Sequence, residues 1–164
     1  YEGVERRFQF HGPFLSNSGN TFTLIDDYGH HPTEIKATIC ACREAFPKQE
    51  IRLIFQPHRY TRTRDLFDDF VSILSDVDSL ILLDTYEAGE DQIIGADSTT
   101  LARSIRLLGK VNPLVLSLND NPLDAIDSVI KNNEVLLVMG AGSINQLTGL
   151  IIDSFEPAMP KEML

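Results

Sequence analysis

Short apolar runs alternate along the chain with segments whose apolar positions recur at helical spacing. Residues 6–10 alternate polar and apolar, as a half-buried strand does, and turn signals follow at His-Gly-Pro (11–13) and Ser-Asn-Ser-Gly-Asn (16–20). A second strand is expected over 22–25. Pro32 then suits the first turn of a helix and Glu34 its dipole, with Ile35, Ile39, Cys42 and Phe46 on one stripe and Pro47 as the stop. The same alternation continues with a strand near 51–56, a helix near 64–75 carried by Leu66, Phe67, Phe70, Val71 and Leu74, and a strand near 79–84. The stretch 84–97, with Gly89 and Gly95, is long enough for a functional loop. Ser98 is the expected cap of a helix bearing Leu101, Ile105 and Leu108. A strand at 114–118, a helix opened by Asn121 and Pro122 and carrying Ile126 and Ile130, and an apolar run at 135–139 complete the series. Gly-Ala-Gly-Ser at 140–143 then leads into a last helix through Ile144, Leu147 and Ile151.

Five apolar strands, each followed by an amphipathic helix, predict an α/β fold: a Rossmann-like, mostly parallel sheet with helices on both faces. The first strand is expected to add an antiparallel edge. At 164 residues and 43% hydrophobic, the chain is long enough for one core and too short for two ordinary domains. A single domain over 1–164 is expected, with a flexible tail at 156–164.

Charge narrows the function. A formal net charge of -10 disfavours general nucleic-acid or membrane-surface binding and points to small molecules or protein as partners. No apolar run of about 18 residues is present, and no charged and apolar leader opens the chain, so a cytoplasmic protein is the simplest reading. The chain begins Tyr-Glu-Gly without an initiator Met, as a portion of something longer or a processed protein would. Cys40 and Cys42 fall about 200° apart on a helix, too divergent for a shared metal or a mutual disulfide, and read as reduced structural thiols.

Candidate chemistry concentrates after strands. Gln-Pro-His-Arg-Tyr-Thr-Arg-Thr-Arg-Asp at 56–65 leaves the carboxyl end of a strand, where open α/β sheets place ligands. Cations are disfavoured at a helix N-terminus by its dipole, but an anion held between Arg59 and Arg62 would explain them, since guanidinium forks match a carboxylate. A solvated charge run is the alternative. Asp26, Asp27, His30 and His31 end another strand, where carboxylates can accept the paired hydroxyls of a ribose; a metal site and a solvated helix-capping turn are the other readings. Gly140, Ala141 and Gly142 invite a dinucleotide reading, yet they close the last strand instead of opening the first βα unit, and a tight, closely packed turn suits them better. No G-x-x-x-x-G-K-[ST] loop occurs, so any ATP phosphates must be held by another part.

Asp-Asp-Tyr-Gly-His-His-Pro-Thr-Glu at 26–34, Phe-Gln-Pro-His-Arg-Tyr-Thr-Arg-Thr-Arg-Asp at 55–65 and Gly-Ala-Asp-Ser at 95–98 resemble the carboxy-terminal domain of the UDP-N-acetylmuramate:L-alanine ligases, the MurC branch of the Mur ligase family. Gly-Val-Glu-Arg-Arg-Phe at 3–8 resembles the junction with the family's central ATPase domain. Ser143 departs from the aspartate that the family often carries there. The resemblance implies a three-domain enzyme of peptidoglycan synthesis in which absent N-terminal and central domains bind UDP-N-acetylmuramate and hold ATP phosphates with Mg2+. It implies that Arg7 and Asp27 contact the ATP ribose. His30, Arg59 and Arg62 would surround the L-alanine carboxylate, with Tyr28 and His58 lining the pocket, and the domain alone would not catalyse. A stand-alone nucleotide- or amino-acid-binding module, a non-binding interaction domain and the related ligase that recycles murein tripeptide remain the competing readings.

Overall fold

The computed structural model describes residues 6–158. Its strands are β1 (Gln9–Leu15), β2 (Thr21–Asp27), β3 (Ile51–Phe55), β4 (Ser79–Leu83), β5 (Leu114–Leu116), β6 (Glu134–Met139) and β7 (Glu156–Pro157). Its helices are α1 (Pro32–Ala45), α2 (Tyr60–Asp65), α3 (Phe67–Leu74), α4 (Ser98–Leu108), α5 (Pro122–Val129) and α6 (Asn145–Ser154), with a 3₁₀ turn at Leu118–Asp120. The strands form one sheet in the order β5-β4-β3-β6-β2-β1-β7, parallel from β5 through β2. Every residue of β3 and β6 is buried, as strands covered on both faces require. On one face α1, α3 and α4 supply Ile35, Ile39, Phe70, Leu74, Leu101 and Ile105. On the other, α5 supplies Ile126 and α6 supplies Leu147 and Ile151 with its N-cap Ile144, beside Phe14, Phe22 and Phe155.

Several expectations about local structure are corrected. His11, Gly12 and Pro13 do not form a turn: β1 runs through them, and Gly12 at φ +101 absorbs a shift of register against β2. β1 is antiparallel to β2 as expected but is not outermost, because Pro157 and Glu156 pair with Phe14 and Leu15 and the Ala158 N–H donates to Pro13 O. Glu156 and Pro157 of the expected tail therefore belong to the sheet, Ala158 bonds to its edge, and 159–164 lie outside the described residues. The helix expected at 64–75 is two helices meeting at Leu66; α2 buries Tyr60 and Thr63, and α3 turns Phe70, Ile73 and Leu74 onto the core. Asp97, not Ser98, caps α4 by accepting from Thr100 N at 2.7 Å, which leaves the Ser98 hydroxyl to donate to Leu83 O.

Candidate functional site: the carboxyl edge at β3, β6 and β2

Phe55 pairs with Met139, and Met139 with Asp27. Three strands that are distant in sequence therefore end level, and their exit loops leave from one edge. The Arg-rich turn after β3 thus faces the Tyr28 and His30 turn after β2. The His30 and His58 rings lie 5.5 Å apart, and Tyr28 meets His30 edge-on at 5.5 Å. Arg62 Nη1 donates to His58 O at 3.0 Å and approaches His58 Nδ1 at 3.2 Å. A guanidinium can only donate, so His58 Nδ1 accepts and the neutral ring carries its proton on Nε2. Burial first, then the charges of His30, Arg62 and Arg59, hold the His58 pKa below its ordinary value. The ring is thereby kept as a neutral Nε2–H donor.

Arg59 adopts φ 74 and ψ 136, a backbone conformation that L residues other than glycine rarely take. It is locked there from both sides. Its N–H donates to Tyr86 O at 2.8 Å, and its carbonyl accepts from Thr63 N and from the Thr63 hydroxyl. Glu90 braces the same turn by accepting from Thr61 N and the Thr61 hydroxyl, bonds that hold its carboxyl below the ordinary pKa. Among the described residues, neither Arg59 nor Arg62 is ion-paired with a carboxylate. In a chain of net charge -10, two guanidinium groups without an ion pair among the described residues concentrate positive charge on a braced turn.

The acidic turn divides its labour. Asp26 pairs with Arg6 through two hydrogen bonds of 2.9 and 2.6 Å. Asp27 is 6% exposed; its Oδ1 accepts from Gly29 N at 2.7 Å and its Oδ2 from Phe8 N at 2.8 Å. Arg7 is exposed, with its guanidinium 3.9 Å from Glu34. His31 caps α1, accepting from Thr33 N, while Glu34 accepts from the N–H groups of both His30 and His31. Burial acts upward on the Glu34 pKa, but those two N–H groups and the charges of His30 and Arg7 outweigh it, and the carboxyl titrates lower than usual. No group of three or more His, Cys, Asp or Glu side chains is arranged to hold a metal among the described residues. Gly3, Val4 and Glu5 of the junction lie outside them.

The turn after β6 is built for close packing. A Cβ on Gly140 would lie 2.8 Å from Ile144 Cγ2, and one on Gly142 would lie 2.5 Å from Tyr86 Cγ. Gln56, 4% exposed, ties the exits of β3, β4 and β6 together: its Nε2 donates to Ser143 Oγ at 3.0 Å and to Asp84 O at 3.3 Å, and its Oε1 accepts from Ile144 N at 3.0 Å. Ser143 thus has a partner in the framework. Sequence reasoning gave no role to Gln56 or Tyr86; Gln56 was legible only as a polar residue ending a buried run, and nothing in the loop singled out Tyr86. Beyond Tyr86, between the β4 and β5 exits and the start of α4, lies a polar cavity of about 680 Å³ lined in part by Asp84, Thr100, Arg103, Ser117 and Asn119. There α4 and α5 depart to opposite faces, the crevice where such sheets hold ligands.

Residues 6–142 match the family model described as Mur ligase, glutamate ligase domain. The chain is 55% identical over 150 residues to the UDP-N-acetylmuramate--L-alanine ligase of Nitrosospira multiformis, covering 88% of this chain and 30% of that protein. It is 50% identical over 147 residues to the ligase of the same name from Nitrosomonas eutropha, covering 90% and 31%. The chain therefore spans less than a third of the length of these relatives. Among solved structures, the UDP-N-acetylmuramate-alanine ligase MurC of Thermotoga maritima superimposes with a TM-score of 0.65 at 26% identity, over 92% of this chain and 30% of that one. The murein peptide ligase of Psychrobacter arcticus shares the fold, with a TM-score of 0.65 at 16% identity over 93% of this chain and 30% of that one. The family match takes in most of the chain, and the chain belongs to the Mur ligase family as its glutamate ligase domain.

Proposed function

We infer that this domain is the carboxy-terminal part of an ATP-dependent ligase that joins L-alanine to UDP-N-acetylmuramate in the cytoplasm, with Arg59 and Arg62 as the clamp on the amino-acid carboxylate. One observation supports the reading: two guanidinium groups with no ion-pair partner among the described residues share a braced turn with a neutral His58 donor, whose ring faces His30 and, beyond it, Tyr28. A carboxylate satisfies that arrangement, because bidentate charge-assisted bonds are the strongest it can make. Held so, the amino acid presents its amine away from the arginines, toward an acyl phosphate made from the muramoyl carboxylate and the γ-phosphate of ATP. Attack forms the amide bond and releases phosphate and a proton; ADP has left in the previous step. Fixing the two reactants in line can contribute about 7–11 kcal/mol to lowering the barrier.

Members of the family use ATP, and Arg7 with Asp27 is the pair assigned here to its ribose. Each Asp27 oxygen already accepts one N–H, and each retains a second lone pair for a hydroxyl. The described residues offer no cluster suited to Mg2+, which the central domain would hold. The N-terminal and central domains of the relatives would supply the sugar nucleotide and phosphate sites, with this domain closing over them as a lid. The identity of 50–55% to L-alanine ligases supports this reading over the tripeptide-recycling one, for which the matching solved structures are 16% and 23% identical to this chain.

The test uses the full-length ligase with Arg62→Ala and Arg59→Ala. The expected result is a rise in the L-alanine KM of ten-fold or more, with the KM values for ATP and UDP-N-acetylmuramate nearly unmoved. Variants that keep the wild-type L-alanine KM would remove the clamp from the mechanism.

A further inference from the structure

The loop between β4 and α4 presents an aromatic ring beside the arginine turn. Tyr86 is 39% exposed, and its ring stacks on the His58 imidazole with centroids 5.2 Å apart and planes at 28°. Its backbone is fixed on both sides, the N–H donating to Pro57 O and the carbonyl accepting from Arg59 N, each at 2.8 Å. Gly142 abuts the ring so closely that an added Cβ would lie 2.5 Å from Tyr86 Cγ and 2.8 Å from Tyr86 Cβ. Elements from the β3, β4 and β6 exits therefore hold this ring, and it has no room to retreat toward Gly142.

Its place relative to the cavity gives the ring a consequence. Tyr86, Gln56 and Ser143 line the 680 Å³ hollow; His58 and Arg62 do not. The Tyr86 ring thus touches both the arginine turn, through His58, and an empty volume large enough for any amino-acid side chain, which Gln56 and Tyr60 of that turn also line. An amino acid anchored by its carboxylate at Arg59 and Arg62 carries its side chain only two bonds from that anchor, against the wall of rings. A methyl group fits beside a fixed wall, whereas a branched chain needs the space that the phenol ring closes off.

We propose that Tyr86 is the residue that limits the acceptor amino acid to a small side chain, by sealing the arginine turn from the cavity at the β4 and β5 exits. The inference rests on the ligase reading above and deepens it. The experiment measures kcat and KM for glycine, L-alanine, L-serine and L-leucine by ADP release from the full-length ligase, wild type, Tyr86→Ala and Tyr86→Phe. Removing the ring lowers the KM for L-leucine and narrows the kcat/KM preference for L-alanine over L-leucine at least about ten-fold, the scale on which pocket size discriminates apolar groups. Tyr86→Phe keeps the ring and restores the wild-type ratio. An active Tyr86→Ala enzyme with an unchanged ratio, or with equal losses for all four amino acids, overturns the proposal while leaving the ligase reading intact. Should Tyr86→Ala not fold, Gly142→Ala displaces the ring from the other side, and an unchanged ratio there overturns it equally. A wild-type enzyme that releases no ADP with any of the four overturns the ligase reading, and this inference with it.

Discussion

Replacing Arg59 with glycine and, separately, with alanine isolates the strain in the arginine turn. Both changes delete the guanidinium, so the difference between them reports only the backbone at φ 74 and ψ 136. That ψ lies well outside the small left-handed helical region, and a residue with a Cβ held there costs on the order of 1–3 kcal/mol. Glycine escapes the cost but loses more freedom on folding, about 0.5–1 kcal/mol. The glycine variant should therefore be the more stable of the two by about 1 kcal/mol, the reverse of their order in a helix. The wild-type carbonyl and N–H bonds to Thr63 and Tyr86 are made by the main chain, and both variants keep them. With an m-value of about 2 kcal/mol/M, urea unfolding of the chain followed by far-UV circular dichroism should separate the midpoints by about 0.5 M. An alanine variant equal to or more stable than the glycine variant refutes the argument: the turn would then not be strained, and the aim of Arg59 would need another cause.

Four further outcomes follow from the same structure. Gln56→Leu strips the partner from the buried Ile144 N–H and from Ser143 Oγ, and chemical denaturation should show a loss of about 1–3 kcal/mol. Arg52, buried with Glu134 at 2.7 Å near the opposite end of the sheet, can be tested by Arg52→Met alone, which strands a buried carboxylate at about 3–5 kcal/mol, while Arg52→Met with Glu134→Leu should recover most of it. His58 has a folded pKa below the unfolded value of about 6.5, so the unfolded chain takes the proton first. Its contribution to stability is complete above that pH and is lost as pH falls toward the folded value; His58→Gln should flatten this part of a pH series of urea melts. Burial, with Asp27 nearby, pushes the Cys42 thiol up to about 12 while Cys40 is exposed, so a thiol reagent at pH 8 should modify one cysteine in the native chain and both in urea.

The parts of the fold that were legible in the sequence are those whose burial is complete. Ile51, Leu53, Ile54 and Phe55, and Val135 through Met139, read as strands because a sheet covered on both faces needs apolar residues at every position. Proline and glycine misled at 11–13, where tertiary pairing overrode their local preference: Gly12 marks a bulge within β1, and Pro13 pairs with Thr23 of β2. The arginines and His58 could be named from their place after a strand, and so could Tyr28 and His30. That they face one another could not, because β6 comes from about 80 residues further along the chain and inserts between β3 and β2. Asp27 was legible as an acid on the ligand edge, but its two backbone partners were not, since Phe8 N reaches it only after the entry segment folds back over β2.

The same crossover explains why the site can be rigid while built almost wholly from loops. Parallel strands that end level send their exits out side by side, so a single buried amide can reach three of them, and Gln56 does. Tyr86 then repeats the device one layer outward, bonding by its backbone to the arginine turn and by its ring to His58 and Gly142. Each of these bonds is short-range in space and long-range in sequence, so none can form until the sheet order is set. Stability made by the core is in this way passed to the edge as positional accuracy, and the strained Arg59 backbone is sustained by it. A substitution that loosens Gln56 should on this reasoning blur the proposed clamp at Arg59 and Arg62 even though Gln56 itself touches no guanidinium.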